Sequence, residues 1–233
     1  NFVEKKNEYI ALSPKSYKRL LGELSKSIDK NNLEIKIIDL GCGTGSLTKK
    51  LITLSKNIYG CDISPKSIER ASILYPKINF SVQDIENLSF EDNFFDVVIF
   101  SGVLHHFNNL KTTLMEAKRI LKPGGLLFSF DPHLHNPFFW IYRRKNSWFY
   151  SKEGVTDNEE PLTKNKMKDS ISACGFTEIS VCAISGMTYE FIENKKLSLF
   201  LPIYNFIDIL LDINPYIRNL IGSFLIGRAR KKD

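Results

Sequence analysis

A run of nine residues, Ile37 to Gly45, constrains the fold and the function of this chain most strongly. It reads Ile-Ile-Asp-Leu-Gly-Cys-Gly-Thr-Gly, so that a hydrophobic strand ends at an acid and enters a turn with three glycines. Glycine is used where a backbone bends tightly or approaches a ligand closely. A helix containing Leu47, Leu51 and Leu54 is expected next, and its free N–H groups would favour an anion. The run therefore predicts a nucleotide site.

The acid in this run indicates which ligand charge the site prefers. Asp39 precedes the turn, where it favours a positive group and would repel a dinucleotide pyrophosphate. The spacing agrees, because the dinucleotide fingerprint is Gly-x-Gly-x-x-Gly, whereas Ser46 occupies the sixth position here and the third glycine comes one residue early. A nucleotide that carries an amino acid has both an ammonium and a carboxylate to place. S-adenosylmethionine fits that description.

Strands and helices alternate after the glycine turn. The predicted elements are strands at 57–62, 78–82, 95–101 and 126–130, with a helix from about 109 to 121 that Lys122-Pro123-Gly124-Gly125 ends. Two further acids, Asp62 and Asp84, stand where the first two of these strands end. The alternation predicts a parallel sheet with helices on both faces and with ligands at the carboxyl ends of the strands.

This ordered set of motifs resembles the class I S-adenosylmethionine-dependent methyltransferases, and most closely their small-molecule branch, type 11, which includes quinone-biosynthesis enzymes. The motifs are Asp-x-Gly-x-Gly-x-Gly at 39–45, the two later acids and the run Leu-Lys-Pro-Gly-Gly-Leu at 121–126, and the specific part of the resemblance covers residues 35–131. The resemblance implies an α/β, Rossmann-like, doubly wound and mostly parallel seven-stranded sheet. It also implies an antiparallel terminal strand, preceded in this chain by a helical insertion.

The resemblance further implies S-adenosyl-L-methionine as cofactor and S-adenosyl-L-homocysteine as product. Asp62 lies where a ribose-binding carboxylate is expected. Asp84 would lie beside the adenine amine, with Ile85 against the ring. For Cys42, a small apolar side chain within the turn is a sufficient explanation. The complete set of predicted cofactor-binding residues is Asp39, Gly41, Cys42, Gly43, Gly45, Asp62, Ile63, Asp84, Ile85 and Ser101.

All four histidines follow two strands that should be neighbours. His105 and His106 follow the fourth strand, while His133 and His135 follow the fifth together with Asp131. We expect these groups to converge beside the transferable methyl group, where a histidine can accept the proton that an acceptor loses. His106 and His133 are the preferred catalytic pair, and His105 and Asp131 are further catalytic candidates. Two alternatives stay open, namely histidines that only pack or hydrogen-bond the loops, and a divalent metal site; we expect no metal.

The chain length of 233 residues predicts a single methyltransferase domain. Its predicted parts are an N-terminal helical or lid segment (1–34), the cofactor-binding core (35–131), an aromatic and basic acceptor-side lid (132–162), an apolar helical insertion (186–221) and the terminal strand (222–230). A helix beginning at Thr163 and a strand over 176–184 lie between the lid and the insertion. The terminal strand, centred on 223–229, is expected to run antiparallel between strands five and six.

The insertion contains a strongly apolar stretch at 197–213. Pro202 and two acids interrupt it, and it is too short for a comfortable membrane span. Asn205, Asp208 and Asp212 share one helical face, which predicts an amphipathic cap. Three roles stay open for this cap: covering the acceptor pocket, contacting another subunit, and lying on a bilayer as a peripheral element.

Charge and composition narrow the acceptor only partly. The net charge is +6, with basic clusters at 143–145 and 228–232 that are typical of solvated surface. Four cysteines without metal-type spacing and the lack of a visible signal peptide predict a cytoplasmic location. The fourth strand ends in Phe-Ser-Gly-Val-Leu rather than in the Asn/Asp-Pro-Pro-aromatic motif of base-amine methyltransferases, which disfavours nucleic acid.

We therefore expect a small, hydrophobic or lipid-linked acceptor that is methylated on oxygen rather than on carbon. Two other function classes stay open. One is a catalytically silent protein that binds the cofactor and acts as a partner. The other is an NAD(P)-dependent oxidoreductase, which Asp39 and the early third glycine oppose.

Overall fold

The computed structural model describes residues 10–29, 31–138, 162–192 and 195–232. The strands are β1 (Ile10–Leu12), β2 (Lys36–Leu40), β3 (Asn57–Asp62), β4 (Asn79–Val82), β5 (Phe95–Ser101), β6 (Leu121–Pro132), β7 (Phe176–Ile184), β8 (Tyr189–Ile192) and β9 (Phe224–Lys231). The α-helices are α1 (Pro14–Ser25), α2 (Thr48–Leu51), α3 (Pro65–Leu74), α4 (Leu110–Ile120), α5 (Lys164–Ala173), α6 (Lys195–Ile213) and α7 (Pro215–Ile221), and Leu104–His106 form a 3₁₀ turn.

A mixed sheet of seven strands, in the order β4-β3-β2-β5-β6-β9-β7, forms the centre of the protein. The five strands from β4 to β6 are parallel, whereas β9 runs antiparallel to both β6 and β7. This arrangement confirms the predicted Rossmann-like, doubly wound fold. It also confirms the terminal strand between strands five and six, preceded by the helical insertion formed by α6 and α7.

Capping residues and turns set most of the element ends. Ser64 and Thr163 accept hydrogen bonds from the backbone three residues later, at Ser67 and Lys166, and each begins the helix expected there. Asn109 caps α4 in the same manner, through the amide of Lys111. The strands β3, β5 and β7 have the predicted bounds, and β4 begins one residue later than predicted.

The prediction of a helix through Leu54 was wrong, because α2 covers only Thr48–Leu51. Beyond this helix the chain continues in turns whose hydrogen bonds join residues three positions apart. The amide of Thr53 donates to the carbonyl of Lys50, and the amide of Leu54 donates to the carbonyl of Leu51. The hydroxyl of Thr53 also donates to the Lys50 carbonyl at 2.9 Å. Such local side-chain bonds compete with the regular helix.

The fifth strand begins earlier than predicted. Leu121 already pairs with Phe95, and the ladder is irregular before it resumes between Val97 and Leu126. Lys122-Pro123-Gly124-Gly125 therefore form an irregularity within β6 rather than the turn that leads into it. Gly124 has a φ of 69°, and a Cβ at Gly125 would lie 2.7 Å from the carbonyl oxygen of Lys122, so both glycines are required.

Both faces of the sheet are buried, as expected for parallel strands covered by helices. Alternate residues of one strand point to opposite sides, and in β5 this separates Val98 and Phe100 from Val97 and Ile99. The first face packs against α4 and α5, including Leu114. The second face packs against α1. These two cores hold the carboxyl ends of β2, β3, β5 and β6 in place.

A second sheet of two strands joins the start of the described chain to the insertion. Ile10–Leu12 pair antiparallel with Tyr189–Ile192, an element that the sequence analysis did not predict. Of the predicted acceptor-side lid, residues 139–161 lie outside the described residues, as do residues 1–9 of the N-terminal segment. None of the helices in the described part of the chain combines the length and the apolar character that a membrane span requires.

Candidate active site

The glycine turn links β2 to α2 at the carboxyl end of the sheet. Gly41, Gly43 and Gly45 have φ values of 74°, 53° and 80°, in the left-handed region that favours glycine. A Cβ at Gly41 would lie 2.6 Å from Cγ2 of Val103. A Cβ at Gly43 would meet no atom within 4 Å, so this glycine faces open space. A Cβ at Gly45 would lie 2.9 Å from Cζ of Phe80, so the turn is packed at Gly41 and Gly45 and open to a ligand at Gly43.

The amides of this turn are bonded within the protein. Those of Gly41 and Cys42 donate to the carbonyl of Cys61, and that of Gly45 donates to the carbonyl of Cys42. That of Gly43 donates to Oδ2 of Asp62 at 2.9 Å. Four amides of the turn are therefore engaged within the protein, and the helix that follows, α2, has only four residues.

Asp39 lies in β2 with its side chain fully buried. Oδ2 accepts a hydrogen bond from Oγ1 of Thr48 at 2.7 Å, whereas Oδ1 has no hydrogen-bond partner among the described residues. Burial raises the pKa of Asp39 to about 7, against the effect of the Thr48 bond, and the nearby carboxylate of Asp62 adds to the rise. A buried, unpaired carboxylate oxygen is costly and fits a cationic group from a ligand.

Asp62, the last residue of β3, orients the glycine turn. Its Oδ2 accepts from the amide of Gly43 and its Oδ1 from that of Ser64, both at 2.9 Å. Each carboxylate oxygen keeps a second lone pair. The half-buried carboxylate is therefore fixed next to the open glycine and can still accept a ribose hydroxyl.

The remaining predicted cofactor residues differ in their burial and in their distance from the glycine turn. Ile85 is buried, with Cδ1 3.4 Å from the place of a Cβ at Gly41. Asp84 is exposed and accepts from the amide of Glu86 at 2.9 Å, and Ile63 is 69% exposed. Burial raises the pKa of the Cys42 thiol, which therefore stays protonated. Ser101 ends β5, half-buried. The structure thus joins the glycine turn, Asp62 and Ile85 by direct proximity.

One histidine and one acid form a buried pair where β5 and β6 end. Nδ1 of His105 lies 3.0 Å from Oδ1 of Asp131, and the backbone amide of His105 donates to the same oxygen at 3.2 Å. Both side chains are buried. His106 is half-buried, with its ring centroid 4.1 Å from that of His105. The geometry therefore gives a carboxylate partner to His105, whereas the sequence analysis preferred His106.

His133 lies in a different setting. Its Nδ1 is 2.9 Å from the carbonyl oxygen of Gly222, its Nε2 has no partner among the described residues, and the side chain is fully buried. Burial lowers the pKa of His133 to about 4, while the bond to Gly222 opposes the shift. The ring is therefore neutral at pH 7 and is a poor proton acceptor. His135 is exposed, with its ring centroid 5.1 Å from that of His133.

Two contacts were missed by the sequence analysis. Thr48 satisfies one oxygen of Asp39, and Val103 packs over Gly41. The only signal for Thr48 was a hydroxyl one turn beyond the glycines. Within the described ranges, no group of three His, Cys, Asp or Glu side chains is arranged to hold a metal ion.

A doubly wound sheet with the antiparallel strand β9 and an Asp-x-Gly-x-Gly-x-Gly turn at the end of β2 defines a class I S-adenosylmethionine-dependent methyltransferase. The family described as Methyltransferase domain, type 11, matches residues 38–129. The chain is 35% identical over 164 residues to an uncharacterized methyltransferase of Synechocystis sp., which covers 69% of this chain and 75% of that protein. The chain therefore belongs to this family, as predicted, and its cofactor is S-adenosylmethionine.

Other similarities agree with this assignment. The chain is 26% identical over 176 residues to the ubiquinone biosynthesis O-methyltransferase of Pelagibacter ubique, a match that covers 73% of this chain and 72% of that protein. A crystal structure of an S-adenosylmethionine-dependent methyltransferase from Thermotoga maritima superposes with a TM-score of 0.63 at 20% identity, covering 93% of this chain and 89% of that one. Matches to fungal hybrid synthetases are partial, since this chain spans 3% of their length.

Proposed function

We propose that this methyltransferase acts on a small, hydrophobic or lipid-linked acceptor and methylates it on oxygen, with His105 as the general base. The buried pair of His105 and Asp131 is the observation that carries the proposal. The similarity to a ubiquinone biosynthesis O-methyltransferase supports the acceptor class. When bound, S-adenosylmethionine supplies an electrophilic methyl group on a sulfonium.

The chain offers three groups to hold the cofactor. Asp39 presents an unpaired buried oxygen that suits the ammonium, and Asp62 presents a fixed carboxylate that suits the ribose hydroxyls. Gly43 lets the backbone approach the ligand without a side chain between them. Positioning is the main contribution that such a site makes, because holding the acceptor in line supplies most of the gain in rate.

The histidine–acid pair supports the proposal of a hydroxyl acceptor. With Nδ1 of His105 directed at Asp131, a neutral ring carries its proton on Nδ1 and leaves Nε2 to accept one. The carboxylate of Asp131 then stabilises the imidazolium that forms. A phenolic or enolic hydroxyl loses a proton on methylation and needs such a base.

A pair of acceptors tests the proposal. Labelled S-adenosylmethionine is incubated with the protein and either an alkyl-substituted catechol or the same ring with both hydroxyls already methylated. We expect label only in the catechol, in an O-methyl group identified by NMR. Label in the blocked ring would show carbon methylation and contradict the proposal, as would an unlabelled catechol alongside a labelled polar amine from a cell extract.

A further inference from the structure

The insertion carries its polar residues on the side that faces the protein. Asp208 is buried, and its Oδ2 accepts from the amide of Met187 at 2.7 Å while its Oδ1 accepts from the hydroxyl of Ser223. Asn205 exchanges two hydrogen bonds of 2.9 Å with the backbone of Tyr189. The polar face of α6 therefore anchors the helix to the rest of the fold.

Asp212 completes this anchored face. Its Oδ1 accepts from Nη2 of Arg19 at 2.7 Å, and the same oxygen lies 3.3 Å from Nη1 of Arg218. Asp208 and Asp212 are the only acidic residues between Lys195 and Ile221. Because both are bonded on the protein-facing side, neither contributes a free carboxylate to the outer side of the insertion.

The outer side of α6 and α7 is apolar and exposed. Its most exposed members are Leu199 (79%), Ile213 (74%), Tyr216 (74%), Phe206 (62%) and Ile203 (56%), and Leu220, Leu210, Ile217 and Ile209 are each at least 40% exposed. We refer to these nine residues as the outer apolar face. Contiguous exposed apolar surface of this kind marks an interaction site. This amphipathic arrangement is the reverse of a helix that covers a core, since here the polar side faces inward.

We propose that the outer apolar face docks on the surface of an anionic lipid bilayer. The face presents no acid, the basic residues Lys195 and Lys196 begin α6, and the whole chain carries a net charge of +6. A negatively charged leaflet attracts such a protein, whereas two copies of it repel each other. Apolar side chains that enter the headgroup region then add the hydrophobic contribution. The helices lie on the bilayer rather than crossing it.

The outer apolar face is joined to the loop after β6, which begins the predicted acceptor-side lid. The carbonyl of Ile221, at the end of α7, accepts from Nδ2 of Asn136 at 3.0 Å, and that of Gly222 is bonded to His133. Both partners belong to the loop that follows β6. Docking would therefore bring this loop to the membrane, where a lipid-linked acceptor is found, although the docking itself does not depend on the acceptor.

Flotation with lipid vesicles tests the proposal. The 233-residue protein is mixed with vesicles of phosphatidylglycerol and phosphatidylcholine, or of phosphatidylcholine alone, at low and high salt. We expect flotation with the anionic vesicles and less of it at high salt. The double variant Phe206→Glu/Ile213→Glu should reduce the bound fraction by about tenfold or more, because two apolar side chains are lost from the contact and two charges are added.

A matched control is available on the opposite part of the fold. Ile73 on α3 is 73% exposed, almost the same as Ile213, so Ile73→Glu matches the Ile213→Glu half of the double variant in charge and in exposure. This variant should float like the unchanged protein. The proposal would be overturned if Ile73→Glu lost as much vesicle binding as the double variant, or if the unchanged protein did not bind anionic vesicles.

Two further measurements on the same samples separate the outcomes. Sedimentation without lipid should show a monomer; a dimer that the double variant dissociates would identify a second copy as the occupant and overturn the bilayer proposal. Titration with S-adenosylhomocysteine should give the same affinity for all three proteins. Binding of S-adenosylhomocysteine reports on the methyltransferase site. A protein that has lost its cofactor site is therefore distinguished from one that has lost only its docking on the bilayer.

Discussion

Nδ1 of His105 lies 3.0 Å from Oδ1 of Asp131, and the backbone amide of His105 donates to the same oxygen. The two residues lie where neighbouring parallel strands end, with His105 in the turn after β5 and Asp131 at the end of β6. Two bonds to one oxygen fix the orientation of the ring, and the carboxylate favours the tautomer that carries its proton on Nδ1. The pair therefore has the geometry of a general base supported by an acid.

Replacing this base should slow the reaction and spare cofactor binding. For His105→Ala we expect kcat to fall by about 10²-fold or more, the usual contribution of general-base catalysis, with little change in the affinity for S-adenosylhomocysteine. Asp131→Asn should lower kcat in the same direction. His106→Ala is the matched control and should keep both its cofactor affinity and most of its rate. A larger loss of rate in His106→Ala than in His105→Ala would restore His106 as the preferred base.

Two glycines of one turn should respond differently to alanine. Gly41→Ala brings a Cβ to 2.6 Å from Val103 and should lower the free energy of unfolding by more than the conformational strain alone. Gly43→Ala costs only the left-handed conformation, about 1–2 kcal/mol, but places a methyl group in the open space above the turn. We expect its main effect to be weaker binding of S-adenosylhomocysteine, measured by calorimetry.

Gly175→Ala is the control for strain away from the glycine turn. Gly175 has a φ of 71° and lies after α5, and an added Cβ would meet only the flexible end of the Lys118 side chain, with Nζ at 2.9 Å. Its thermal stability should fall by a similar amount to that of Gly43→Ala while cofactor binding is unchanged. Unchanged binding in Gly43→Ala would show that no ligand approaches the turn at that point.

The buried His133 should make stability depend on pH. Its pKa falls from an ordinary 6.5 to about 4 in the folded protein, so between these values the unfolded chain binds more protons. This contribution to stability is complete above pH 6.5 and is lost as the pH falls towards 4, and it amounts to roughly 2–3 kcal/mol. His133→Asn keeps a donor towards the Gly222 carbonyl and should remove this part of the slope in urea unfolding measured from pH 4 to 7. An unchanged slope would contradict the burial of a neutral ring.

Asp39 should give the stability of the cofactor-free protein a pH dependence of the opposite sign. Its pKa rises from 3.8 to about 7, so the folded state binds more protons between these values and stability falls as the pH rises through them. Asp39→Asn should therefore be more stable than the unchanged protein at pH 8, by up to about 4 kcal/mol. The same variant should bind S-adenosylmethionine more weakly, because the carboxylate that suits the ammonium is gone. Greater stability together with undiminished affinity would assign Asp39 a purely structural role.

Much of the sheet was predictable because chemistry marks the strand ends. Acids and glycines bound β2 and β3, and Ser64 and Thr163 begin helices by accepting backbone hydrogen bonds. The short sheet of β1 and β8 was not predictable in this way. Its strands are three and four residues long, too short to carry a periodic pattern, and they pair residues as far apart in the chain as Ile10 and Ile192.

Within the site, the sequence indicated the residues but not the orientation of their side chains. His105 and His106 are adjacent in a 3₁₀ turn with their ring centroids 4.1 Å apart, and only the fold decides which of them meets Asp131. The same limit applies to α6. Asp208 and Asp212 were expected on one helical face, but that face turns inward because Met187, Ser223 and Arg19 supply partners from distant parts of the chain.

Calorimetric titration with S-adenosylhomocysteine is the decisive measurement for the cofactor site. We expect saturable binding with one site per chain, no comparable binding of NADH, and a loss of affinity of about tenfold or more in Asp62→Ala, where the carboxylate that orients Gly43 is removed. Absence of binding by the folded protein, or tighter binding of NADH than of S-adenosylhomocysteine, would contradict the assignment of this pocket.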